Sequence, residues 1–411
     1  GPGPGAAPAP GGDPDELAVA LVLIAATTVL SDLRFAVRPI SQLRRLVTLR
    51  PLADPKLRAM AGIVVSIGDE EVFRRRIAEA IGSDDPATAM LGALIGSVSA
   101  ENDGRRDEAV VFARSAVRLA EALHDTWGQA MAGQMLGALH SQSAEPVESL
   151  RWSRRARIGL AALGAVEDIR QLDWTIATNA IAVGDLAEAA ELFGHLVDSP
   201  GEADGVDIRS IGLAGMAEVQ RARGDTAAAR ALNLEALSSF ETPGTRASPW
   251  FRMVLSAVLA ASTLDATGTA EENRRLARRL RSRVLATLRP GTRAFVDAPV
   301  LGASVVGLAV WAEALPAATP LTASEALELL ALAEVLGARQ DSPALHLAPL
   351  LARAETRLGA GAVDAARVAA AALPAEARPS RIEHLLRRPG PWSWAWQPAG
   401  DDPDATCTSK K

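Results

Sequence analysis

Five histidines, one cysteine, three lysines and scattered pairs of acids are the side chains from which this chain could build chemistry. His124, His140, His195, His346 and His384 form neither a His-Glu-x-x-His pair nor any other ligand spacing. They read as ordinary surface or hydrogen-bonded core histidines, and no metal is expected. Cys407 is alone and sits in a polar tail, which removes disulfides, thiolate zinc sites and thiol catalysis and fits a reducing cytoplasm. The lysines are Lys56, Lys410 and Lys411, none of them in a Gly-x-x-x-x-Gly-Lys-Ser/Thr loop, so no phosphate-cradling loop is present. The glycine-serine stretch at 302–307 lies within an apolar helical pattern. It suits close helix packing rather than a nucleophile elbow, which requires a preceding strand. Acid pairs such as Glu70-Glu71 and Asp84-Asp85 stand at helix starts, where the helix dipole favours them. Neither a catalytic constellation nor a cofactor site emerges, and an enzyme is not expected.

The elements that would carry any function are helices. Hydrophobic residues make up 48% of the 411, but they are mostly Ala, Leu and Val, with seven Phe, eight Trp and no Tyr. That is helix composition, without the runs of Ile, Tyr and Thr that mark strands. The net charge of −6 argues against a nucleic-acid surface, because phosphate binding needs clustered positive charge. Residues 17–30 form an apolar run shorter than the ~20 residues of a membrane span and follow acids, not a basic segment. They are expected to form a buried first helix.

The helices repeat. The sequence Asn102-Asp103-Gly104-Arg105 returns as Val183-Gly184-Asp185 and as Arg223-Gly224-Asp225, with a stride of 40 residues from Gly184 to Gly224 and twice that from Gly104 to Gly184. The intervening copy turns at Ala144-Glu145-Pro146, with no glycine. In the other copies a helix ends at Gly, and after Gly184 and Gly224 an Asp follows that can cap the next helix. Five residues beyond the turn stands a small residue (Ala109, Ser149, Ala189, Ala229), and seven further another small or apolar one (Ala116, Ala156, Leu196, Ala236). This is the tetratricopeptide (TPR) pattern with a lengthened period, and such units bury a core only by stacking. The expected fold is all-α, a right-handed TPR-like α-solenoid of about eight antiparallel helix pairs over residues 13–388.

Outside the regular copies, helices are expected at 37–49, 59–67, 70–81, 294–315, 322–336, 342–358, 362–373 and 381–386. A drifted fifth copy is expected at 250–288, turning at Gly268. Its arginine run, Arg274 to Arg283, reads as a solvated face more than as an anion site. Residues 1–12 have the composition of a cloning scar and flexible linker. Residues 389–411 form a tail in which Trp392, Trp394 and Trp396 could share one face, either covering the last repeat or entering a groove.

With the turn glycine as position 15 of the TPR pattern, the groove-facing positions fall on Met131, Gln134, Ala138 and Ser141. They recur at Gln171, Trp174, Thr178 and Ile181, and again at Ile211, Ala214, Glu218 and Arg221. Gln134, Gln171, Trp174, Thr178, Glu218, Arg221 and Arg252 are the candidate binding residues. Trp174 serves either as a ligand anchor or as packing between repeats, and Arg170 and Arg252 suit a carboxylate.

The 40-residue stride, the stretch from Leu336-Gly337-Ala338-Arg339-Gln340-Asp341 to His346, and the alanine-rich segment 363–373 resemble the C-terminal, MalT-like repeat region of large actinobacterial transcriptional regulators. These are of the antibiotic-regulatory-protein (SARP) type, with a bacterial transcriptional activator domain and a STAND-class ATPase. The resemblance implies regulation by binding. Lacking a P-loop and a winged helix, the chain would be a sensor arm, either excised or standing alone. The expectation is thus a cytoplasmic, non-catalytic module that takes a peptide, protein segment or small effector and contacts other regulator domains, with neither nucleic acid nor membrane as a direct partner. The alternative is a self-assembly scaffold that dimerises through convex or terminal repeats.

Overall fold

The computed structural model describes residues 33–49, 52–199, 202–203, 206–239, 249–265, 267–289 and 297–390. The leader at 1–12, the apolar run at 17–30 and the three tail tryptophans lie outside these residues. The chain divides into two compact units, residues 1–251 and 252–411.

The first unit is a TPR-like stack of helical hairpins. It begins with α1 (Leu33–Leu49), α2 (Pro55–Val65) and α3 (Glu70–Ile81). The four regular pairs follow: α4 (Pro86–Asn102) with α5 (Arg106–Ala122), α6 (Thr126–Gln142) with α7 (Pro146–Leu163), α8 (Val166–Ala182) with α9 (Leu186–Asp198), and α10 (Ile208–Ala222) with α11 (Thr226–Ser239). Between α9 and α10 a minimal antiparallel ladder, β1 (Glu202–Ala203) and β2 (Val206–Asp207), stands where only a loop was expected. The four pairs turn by one hydrogen-bond pattern. The amides of Arg105, Glu145, Asp185 and Asp225 donate to the carbonyls of Ala100, His140, Ala180 and Gln220 at 2.8–2.9 Å, the six-to-one bond of a Schellman ending. That ending needs a left-handed residue, supplied by Gly104, Gly184 and Gly224, and at the glycine-less turn by Ala144 with φ 56°. Side-chain caps fix several starts: Asp85, Asp125, Asp185 and Asp225 accept from the amides of Thr88, Gly128, Glu188 and Ala228.

The small residues form the seam of each hairpin. Ala109, Ser149, Ala189 and Ala229 are wholly buried, as are Ala116 and Ala236, with Ala156 and Leu196 close to it. A matching small position on the first helices, Ser97, Gly137, Ala177 and Ala217, is buried too. Two hydroxyls lock the seam, Ser97 donating to the Ala109 carbonyl at 2.9 Å and Ser149 to that of Gly137 at 2.8 Å. At Gly137 a Cβ would stand 2.2 Å from Ser153 Oγ, so glycine there permits the close approach.

α12 (Pro249–Ala261) crosses the boundary between units. The second unit continues with a 3-10 turn Ser262–Asp265, α13 (Ala270–Thr287), α14 (Ala298–Ala314), α15 (Ala323–Val335), α16 (Leu347–Leu358), α17 (Ala360–Ala372) and α18 (Arg378–Leu386). Its core is α14, buried along almost its whole length, with Trp311 fully enclosed. Gly302 and Gly307 bring its backbone against Ala338 and Ala257, the close packing their spacing suggested. Several boundaries differ from expectation: helices expected at 37–49, 59–67 and 381–386 span Leu33–Leu49, Pro55–Val65 and Arg378–Leu386, and three further differences lie in and beside the second unit. The helix expected from 294 starts at Ala298, because the Asp297 carboxylate accepts from the Val300 amide at 2.9 Å and caps it. The segment 342–358 is divided, with Pro343–Leu345 a 3-10 turn and extended backbone at His346. The first helix of the fifth copy ends at Ala261.

Candidate binding face

Within the first unit, the first helices α4, α6, α8 and α10 approach their successors more closely than the second helices do. A stack tighter on one side curves toward that side, so these helices line its inner face. Their cross-links are correspondingly short amide and hydroxyl bonds. Gln134 Nε2 donates to Gln171 Oε1 at 2.8 Å, Asn179 Nδ2 to Ser141 Oγ at 2.9 Å, and Gln142 Nε2 to Glu101 Oε1. On the outer face the links are long arginine-carboxylate reaches, Arg155 to Glu121 and Arg154 to Glu188, both 2.6 Å.

The expected groove positions fall on this inner wall with half-buried side chains: Met131, Gln134 and Ala138 on α6, Gln171, Trp174 and Thr178 on α8, and Ala214, Glu218 and Arg221 on α10. Ser141, Ile181 and Ile211 are buried and belong to the packing beneath. Glu218 and Arg221 lie 3.7 Å apart, an ion pair too long for a hydrogen bond and only 11% and 14% exposed. Because water is largely excluded there, that charge pair interacts more strongly than an exposed one.

Of the two roles weighed for Trp174, the structure shows the packing between repeats. It stacks on Trp250 (centroids 6.0 Å apart, planes at 19°) and meets Phe251 edge-on at 5.9 Å, while remaining partly exposed. Such offset and edge-on contacts match the ring quadrupoles. Trp250 and Phe251 escaped the sequence reading because residues 240–248 interrupt the 40-residue stride, so no register connected them to Trp174. Arg170 pairs with Glu167 at 3.0 Å. Arg252 is the first residue of the second unit and is partly buried.

The arginine run on α13 is tied to its own unit: Arg274 and Arg275 to Glu271, Arg283 to Ser256 Oγ, and Arg281 to the Leu386 carbonyl. Burial, with Arg387 nearby, lowers the Arg281 pKa below its ordinary value. Among the described residues no group of three His, Cys, Asp or Glu side chains could hold a metal ion, and no helix is long and apolar enough to cross a membrane.

No family model matches the chain, and no curated protein does. Among solved structures it is similar to a Rap protein complexed with Competence and Sporulation Factor. The TM-score is 0.58 at 12% identity, over 90% of this chain and 99% of that one. At that identity the likeness shows the fold: a TPR-like α-solenoid.

Proposed function

We propose that the chain is a non-catalytic recognition module, and that the inner wall of α6, α8 and α10 takes a peptide or protein segment, with a small effector as a variant of the same use. The carrying observation is that wall itself: amides at Gln134 and Gln171, an aromatic platform at Trp174, a hydroxyl at Thr178 and the Glu218–Arg221 pair, all half-buried along the first helices of three consecutive hairpins. An aromatic anchor among a few placed polar groups is what peptide recognition requires. The fold likeness to a Rap protein crystallised with Competence and Sporulation Factor supports the reading. We read this recognition as part of cytoplasmic transcriptional control, the occupied wall being read by other domains of a regulator; the sequence resemblance to SARP- and STAND-type regulators is what suggests it.

The test is selection from a displayed random peptide library, followed by titration of the enriched peptides against the parent, Trp174→Ala, Arg221→Ala and Thr178→Glu, with helicity checked by circular dichroism. Loss of affinity by roughly tenfold or more in these variants is expected, the scale of an aromatic or arginine hot spot. Undiminished binding by correctly folded variants would contradict the assignment.

A further inference from the structure

The outer face of the first unit carries its own pattern. Among the described large hydrophobic side chains of the first unit, Ile158 (74% exposed), Val147 (69%) and Val111 (62%) are the most exposed, and all three lie on α5 and α7. The 40-residue stride sets Arg118, Ile158 and Asp198 at equal height on α5, α7 and α9, so one row reads cation, aliphatic, anion. Arg114 stands about one turn and Glu191 about two turns nearer the helix starts, on the same two flanks. All four charged residues are exposed, and none has an ion-pair or hydrogen-bond partner among the described residues. The charges between them are already neutralised within the chain, Arg151 by Glu148, Arg154 by Glu188 and Arg155 by Glu121, each at 2.6 Å. Asp198 is the last residue of α9, where the negative end of the helix disfavours a carboxylate and a cation would relieve it.

We infer that this face pairs with a second copy of the chain. A two-fold axis running along α7 in the plane of contact sets α7 against its counterpart and α5 of each copy against α9 of the other. Heights along the helices are preserved. Ile158 then meets Ile158 of the partner subunit, Arg118 meets Asp198 of the partner subunit, and Arg114 stands about one helical turn from Glu191 of the partner subunit. The surface is self-complementary, as an isologous contact must be. Within one chain Arg118 and Asp198 are two helix spacings apart, at least about 16 Å, too far to pair. The contact uses the face opposite the proposed peptide wall, so each reading stands without the other.

Sedimentation equilibrium on the full chain across the micromolar range tests it, with Ile158→Glu, Arg118→Asp, Asp198→Arg and the double variant Arg118→Asp/Asp198→Arg. The expected result is a parent dimer, monomers for the three single variants, and recovery of the dimer in the double variant, whose charges are exchanged between copies. A monomeric parent, a dimer that survives Ile158→Glu, or a double variant no better than its singles would overturn the inference. All three sites are exposed, and circular dichroism confirms that each variant remains helical.

Discussion

Ala144 carries the one turn within a regular hairpin built without glycine, and His124 (φ 54°) plays the same part between α5 and α6. The Ala144 φ of 56° costs an L-residue ~1–2 kcal/mol, against which glycine's greater unfolded-state entropy sets ~0.5–1 kcal/mol. Ala144→Gly is therefore expected to raise stability by ~0.5–1 kcal/mol in urea denaturation; a lower midpoint would show that the turn is not left-handed. Asp297 makes the opposite kind of demand. Burial pushes its carboxyl pKa up, even though the carboxylate caps α14. A raised folded pKa means that the neutral acid suits the fold. The stability this contributes is present below the ordinary Asp value near ~3.9 and is lost as pH climbs through the raised one. Asn still caps but does not ionise, so Asp297→Asn should flatten this part of the pH dependence. Parallel melting profiles for parent and variant from acid to neutral pH would contradict the burial argument.

At the scale of the element, the hairpin seam is where sequence and structure correspond most closely. The interval from turn residue to small residue identified Ala109, Ser149, Ala189 and Ala229, and all are buried without remainder, because helices that cross this closely admit no larger side chain. Ala189→Leu is expected to cost ~1–3 kcal/mol as an overpacked contact. Its amide exchange should quicken first in α8 to α11, since a stacked repeat interacts mainly with its neighbours. A melt identical to the parent's would refute the seam. What the sequence left illegible has a physical reason too. Periodicity reports which face of a helix is apolar but not how a loop returns. The division of 342–358, the 3-10 turn after Ala261 and the stacking of Trp250 on Trp174 all depend on segments that interrupt the stride. Inner-wall residues such as Gln134 and Gln171 were found by register alone; that they bond to each other follows from the curvature of the stack, which no single repeat encodes.

Across the whole molecule, two compact units of helical hairpins present extensive side-chain surface, and we assign recognition rather than reaction to the chain. The first unit offers two contrasting faces: an inner wall bound by short amide links with an aromatic platform, and an outer one with exposed aliphatics flanked by opposite charges. The most direct measurement places a photo-crosslinking amino acid at Ala138 or Thr178 on the inner wall and, in a separate protein, at Ile158 on the outer face, each exposed to a library-selected peptide. Capture from Ala138 and Thr178 but not from Ile158 is the predicted result. Capture from Ile158 with none from the inner positions would contradict the account.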